Sequence, residues 1–113
     1  MRKIEEQMLN AIKTRKNFRC GNVQVAVTEN IDIYLHDQRI GALSDNFLWL
    51  RDCGKQTPVT KSRLNALLTL LPKLTELKSV KGKWTLTSTA FEDQPWTKHY
   101  WYELSLKDAS ITL

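Results

Sequence analysis

Only two of the 113 residues are cysteine, Cys20 and Cys53. That is too few for a disulfide-stapled fold, and it suits a reducing compartment. In the strand arrangement argued below, the two cysteines flank the first and fourth strands of a meander. Three strand spacings, roughly 14 Å, would separate them, whereas a disulfide needs Cα atoms within about 7 Å. Free thiols are expected. Long apolar runs are missing as well. The longest, Leu64 to Leu71, is interrupted by Asn65 and Thr69. The opening Met1-Arg2-Lys3-Ile4-Glu5-Glu6 holds no signal-peptide core, so the chain is expected to stay in the cytoplasm where it is made, away from membranes.

Catalytic signatures are absent too. There is no GxGxxG, Walker loop, GxSxG or HExxH. Cys20, His36, Cys53 and His99 could number four zinc ligands, but they lack CxxC or HxxxH spacing. Nothing marks a base, an orienter or an oxyanion hole beside either thiol. Glu92-Asp93 sits in a loop and is expected to be solvated. No catalytic residue, metal or cofactor is therefore assigned, and enzyme activity ranks last among the readings.

What is present describes one α+β domain over residues 1–113. The chain is long enough to bury a core without staples. An apolar share of 42% with 26% charged residues separates it from a disordered composition. Residues 3–17 carry Ile4, Met8, Ala11 and Ile12 at helical spacing. Glu5 and Glu6 in the first turn and Lys13, Arg15 and Lys16 in the last complement the helix dipole.

From Asn22 to Arg51 the period falls to two. Val23/Val25/Val27 and Ile31/Ile33/Leu35 alternate with polar residues, and turns are expected at Glu29-Asn30, Asp37-Gln38 and Asp45-Asn46. Four short antiparallel strands follow, with one face buried. A second helix is expected to start at Thr57 or Thr60 as N-cap. It presents Leu64, Leu67, Leu68 and Leu71, and Pro72 stops it or kinks it onward through Leu74 and Leu77. Two C-terminal antiparallel strands, Lys83–Ser88 and His99–Leu106, complete the fold. Alternation places Tyr100 and Tyr102 inside, and Trp96 and Trp101 off the core face.

Charge is unevenly spread. Residues 1–20 carry a net +4, residues 21–54 a net −3, residues 55–83 a net +6 and residues 84–113 a net −2, which gives +5 overall. The positive blocks coincide with the two helical segments, and such asymmetry bears on partners rather than on fold. The entrance of the second helix is the sharpest candidate site. Lys61 and Arg63 stand in a first turn that ordinarily prefers acids, next to the hydroxyls of Thr60 and Ser62 and close to Lys55. Unpaired N–H groups and added cations there suit a phosphate or carboxylate. Lys13, Arg15 and Lys16 extend the basic set. The competing reading is that these cations are solvated surface residues or pair internally with Asp45 or Asp52. Trp96, Lys98 and Trp101 form a second, interface-type candidate, because exposed aromatics beside cations anchor protein contacts or stack bases.

Four stretches carry a resemblance: Lys3-Ile4-Glu5-Glu6-Gln7-Met8, Gly21-Asn22-Val23-Gln24-Val25, Tyr34-Leu35-His36-Asp37 and Thr60-Lys61-Ser62-Arg63-Leu64-Asn65-Ala66-Leu67. Over roughly the first 70 residues the chain resembles a group of small proteins encoded by tailed bacteriophages and their prophages. The last of these stretches is the most specific. Members usually place Gly-Asn where this chain has Asp37-Gln38. The resemblance implies a phage accessory setting and supplies no mechanism. The helix–meander–helix order also resembles the double-stranded-RNA-binding domain, which grips phosphates at a basic helix entrance. That fold has three strands and a denser basic cluster. The first-ranked reading is a non-catalytic accessory protein that binds an anionic partner, nucleic acid or a nucleic-acid-processing complex, through the basic helix entrance. The second is an inhibitor of a host enzyme or defence complex, such as a CRISPR effector, that docks on protein.

Overall fold

The computed structural model describes all residues, 1–113. Its helix α1 spans Lys3–Thr14 and buries Met8, Leu9, Ala11 and Ile12. It is shorter than the expected 3–17, because Arg15 turns left-handed (φ 52°) and its N–H closes the last turn on Ala11 and Ile12. The residues soon after it form a strand. β1 (Phe18–Cys20), β2 (Val23–Val27), β3 (Ile31–Leu35), β4 (Gln38–Leu43) and β5 (Phe47–Leu50) run as consecutive antiparallel neighbours. The four-stranded meander is therefore present with one further edge strand in front of it.

The hairpin between β3 and β4 turns on His36-Asp37, one residue before the expected place, with Leu35 paired to Gln38. Both turn residues have positive φ, 49° and 62°, the geometry of the tight turn whose twist matches that of its strands. β4 carries an extra residue, since Ile33 pairs Gly41 while Tyr34 pairs Arg39. That bulge buries both Ile40 and Gly41.

Helix α2 runs Pro58–Leu68. Thr57 is its N-cap and accepts from the Thr60 N–H at 3.2 Å, with Pro58 at the first helical position. Pro72 neither ends nor kinks it, because the helix is complete four residues earlier. The segment beyond, with Leu77 buried, is strand β6 (Thr75–Val80), paired through a Lys81-Gly82 turn with β7 (Lys83–Ser88). β8 (Gln94–Pro95) completes this three-stranded sheet. β9 (Tyr102–Ser105) leaves it and pairs with β5, and β10 (Ile111–Thr112) pairs with β9. The expected C-terminal strand pair is thus divided between two sheets. The larger has the order β1-β2-β3-β4-β5-β9-β10.

One core joins the layers. Val25, Ile33, Leu48, Leu50 and Leu104 of the seven-stranded sheet meet Met8 and Ile12 of α1, Leu64 and Leu67 of α2, and Leu77 and Leu86 of the small sheet. Gly41 marks the closest approach. A Cβ there would lie 3.2 Å from Leu67 Cδ1, so bulkier residues would push α2 off the sheet.

The free edge of β6 is covered by a side chain. Asn65 Nδ2 donates to Leu77 O at 3.1 Å, and Asn65 Oδ1 accepts from Leu77 N at 2.7 Å. An asparagine therefore mimics the next strand and blocks edge pairing. Asn65→Ala leaves a buried N–H and C=O unpaired, at an expected cost of about 1–3 kcal/mol. Asn65→Asp, which restores the acceptor but not the donor, is expected to recover only part of this. Urea midpoints of the three proteins check it.

Candidate functional site

The basic helix entrance is assembled, but its groups are turned inward. Arg63 is 5% exposed, and its Nη1 lies 2.8 Å from Glu5 Oε2. Ser62 Oγ donates to the same oxygen at 2.5 Å, and the Arg2 backbone N–H donates to Glu5 Oε1 at 3.2 Å. Burial alone would push the Glu5 carboxyl up. The hydrogen bonds from Ser62, Arg63 and Arg2 and the Arg63 charge outweigh it and hold the carboxyl below the ordinary range. Thr60 is buried, its hydroxyl 3.0 Å from that of Thr57. Of the five residues expected at this entrance, Thr60, Ser62 and Arg63 are thus occupied by α1 and by the helix cap. The partner is Glu5, neither Asp45 nor Asp52. Lys55 is exposed and Lys61 half-buried.

The remaining basic residues do not join them. Lys13 lies eight residues beyond Glu5 along α1, about 12 Å at the helical rise, with Arg15 and Lys16 farther on. Lys13 and Lys16 are exposed, and Arg15 donates to the carbonyls of Thr28 and Glu29 at 3.4 Å.

Trp96, expected off the core face, is buried in it. It is 6% exposed and stacked on Tyr102 with ring centroids 4.3 Å apart. Its Nε1 donates to Asp52 Oδ2 at 3.0 Å. Tyr100, expected in the core, is instead 52% exposed. Both displacements follow from residues 96–101 lying outside strands, where alternation carries no phase. Lys98 is exposed.

Asp52 itself is 1% exposed. It accepts from Gly54 N, His99 N, Gln56 Nε2 and Trp96 Nε1. Burial would raise its carboxyl, but these four donors together lower it. It ties the loop after β5 to the loop before β9. Gly54 has φ +77°, and a Cβ there would collide with the His99 ring, so glycine is required at this crossing.

Trp101 does lie at a surface with shape. On the sheet face opposite the helices, Gln24, Tyr34, Asp32, Ala42, Trp49, Glu103 and Ser105 alternate with core residues, and none is fully buried. Partial exposure throughout is the mark of a face that no second layer covers. Near its centre the guanidinium carbons of Arg51 and Arg39 lie 4.4 Å and 5.3 Å from the Trp101 ring centroid. Arg51 Nε donates to Arg39 O at 2.9 Å. Trp49 Nε1 donates to Glu103 Oε1 at 2.9 Å, and Glu103 Oε2 accepts from Thr112 at 2.6 Å. Phe47 leans on Trp49, with centroids 5.8 Å apart. Ala42, the small residue opposite Trp49, leaves a hollow of about 300 Å³ walled by Arg39, Trp49 and Trp101. Charges on this face mostly cancel. Arg39 pairs Asp32 at 3.4 Å and Arg19 pairs Asp37 at 3.3 Å.

Sequence reasoning found Trp101 and missed its neighbours. The signal was available: Leu48 and Leu50 face the core, so Phe47, Trp49 and Arg51 must share the other face.

No three His, Cys, Asp or Glu side chains gather in a way that could hold a metal ion. Both cysteines are free. No helix is long and apolar enough to cross a membrane. No curated protein and no solved structure matches the chain. A family model described as Kyanoviridae Gp96 protein matches residues 1–103, which takes in both helices, the three-stranded sheet and the larger sheet as far as the first half of β9. The chain therefore belongs to the Kyanoviridae Gp96 family of phage proteins.

Proposed function

We propose that this phage accessory protein acts without catalysis, by docking the open face of its seven-stranded sheet on a host protein. The observation that carries the reading is the Arg39–Trp101–Arg51 stack beside Trp49. Tryptophan and arginine are the residue types that most often dominate protein interfaces, and here hydrogen bonds and stacking fix them before any partner arrives, which lowers the entropic cost of binding. Inhibition of a host enzyme or defence complex is one outcome such docking would have. The test is capture from nuclease-treated host lysate, using wild type and a folded Trp101→Glu variant side by side. A host protein retained at about 1:1 by wild type and lost by the variant is the expected result. Equal retention by both, or capture that nuclease abolishes, overturns the reading.

A nucleic-acid partner is supported by a different observation. Lys55, Lys61, Lys81 and Lys83 have no ion-pair partner, and Lys61 opens onto a cleft shared with Ser79 and Trp84. Contacts from a few such lysines would give salt-sensitive, sequence-independent binding. Gel shifts with duplex DNA, duplex RNA and single strands at two salt concentrations are expected to weaken with salt and with Lys61→Ala. No shift at tens of micromolar protein and low salt removes this reading.

A further inference from the structure

We infer that the segment recognised by the open sheet face is acidic and apolar: one apolar side chain seated over Ala42 between Trp49 and Trp101, and one carboxylate beside it on Arg51. This rests on the docking reading above and specifies its partner. The hollow of about 300 Å³ lies at the small end of the range for ligand pockets, about 300–1,000 Å³. That is room for a side chain rather than for a cofactor. Its walls are two indole rings and the Arg39 side chain, already paired with Asp32, and its base is a methyl group, so the seated group is apolar.

The charge pattern selects the rest. Arg39 is committed to Asp32, whereas Arg51 makes no ion pair and uses only its Nε, on the Arg39 carbonyl. Its two terminal nitrogens remain as donors, held in place over Trp101. A planar fork of that kind suits one carboxylate. A nucleic-acid strand fits less well. It brings a phosphate at every step, whereas this face carries the carboxylates of Asp32 and Glu103 and offers one cation outside an ion pair, Arg51. A basic segment would meet the charges of Arg39 and Arg51 and gain only Glu103, whose two oxygens already accept from Trp49 and Thr112, since Asp32 is paired.

The experiment follows the four indole N–H signals in nitrogen–proton spectra of the full chain. Trp84 and Trp96 are buried and serve as internal controls. The probes are an end-capped hexapeptide of alternating Glu and Leu, its Lys/Leu counterpart, and oligothymidylate. The acidic peptide is expected to shift the Trp49 and Trp101 signals saturably and to leave Trp84 and Trp96 in place. Arg51→Gln should weaken that binding about tenfold, the loss typical of a hydrogen bond to a charged group, and Ala42→Leu, which fills the hollow, should abolish it. No saturable shift at millimolar peptide overturns the inference. So does an equal response to the Lys/Leu peptide or to oligothymidylate, or an unchanged affinity in Arg51→Gln. If the acidic peptide fails while Trp101→Glu still loses a captured host protein, the partner chemistry is wrong and the docking reading stands. If that capture is indifferent to Trp101, the docking reading itself falls.

Discussion

Arg63→Ala is expected to cost about 3–5 kcal/mol of stability, the usual penalty for stranding one member of a buried ion pair. For a domain of this size that is about 10–20 °C in Tm. Glu5 would keep its Ser62 and Arg2 hydrogen bonds but would be left as a buried carboxylate, 2% exposed, with no counter-charge. The pair also joins the two helices, 58 residues apart in sequence, so its loss loosens α1 against α2. Glu5→Gln should cost about as much for the mirror-image reason. Replacing both with methionine removes two charges and their desolvation together, and is expected to fall within about 1–2 kcal/mol of wild type. Denaturant midpoints of the four proteins measure all three effects. If Arg63→Ala leaves the midpoint unchanged, Arg63 is not a structural residue and its place among anion ligands returns. The consequence for binding experiments is direct: any loss of partner in Arg63→Ala reports a damaged fold, whereas Lys61→Ala is a clean surface change.

That pair shows where sequence reasoning stops. That the cations near the helix entrance needed a partner was legible, although with Thr57 as N-cap Arg63 stands in the second turn of α2 and not, as expected, in the first. The identity of the neutralising group was not. Glu5 already had a sufficient local explanation as a first-turn acid, and nothing in the residues between says that the start of α1 meets the middle of α2. Alternation located β2 through β5 and the inward set Val23, Val25, Ile31, Ile33 and Leu35, because a strand with one face in the core leaves a period-two pattern wherever it lies.

Alternation failed at Trp96 and Tyr100, where the backbone is not extended and the period carries no information. Periodicity also left a helical continuation through Leu74 and Leu77 open, where the chain forms a strand, since two residues three apart satisfy one turn of helix by chance. The Lys81-Gly82 pair between Val80 and Lys83 was the better guide there, being a glycine-containing two-residue turn that joins two strands. The assignment of β9 to the larger sheet depends on long-range pairing with Phe47–Leu50, which no local pattern encodes.

Asp52→Asn is expected to cost about 2–4 kcal/mol at neutral pH, for a reason that no local pattern displays. Four donors converge on two carboxylate oxygens. An asparagine keeps one oxygen and turns an NH₂ group toward two of those donors. Two hydrogen bonds to a charged acceptor are lost, each worth about 1.5–3 kcal/mol, less what rearrangement recovers. The pH dependence fixes the charge state. The Asp52 carboxyl lies below its ordinary value in the folded protein. Its contribution is therefore complete above the unfolded-state value of about 3.9 and is lost as pH falls through the lower folded value. Wild type should weaken in acid from about pH 4 downward, and the gap to Asp52→Asn should narrow over the same range. Glu5 adds to the acid weakening of both proteins equally, because its carboxyl is also held low. Urea midpoints of the two proteins at pH 7 and at pH 2.5–3 measure the gap. A constant gap would mean that Asp52 titrates alike in both states and that its four donors hold no charge in place. Asp52 also anchors the backbone at His99, two residues before Trp101. The same substitution should therefore slacken the Arg39–Trp101–Arg51 stack and weaken partner capture by more than the global loss of stability accounts for.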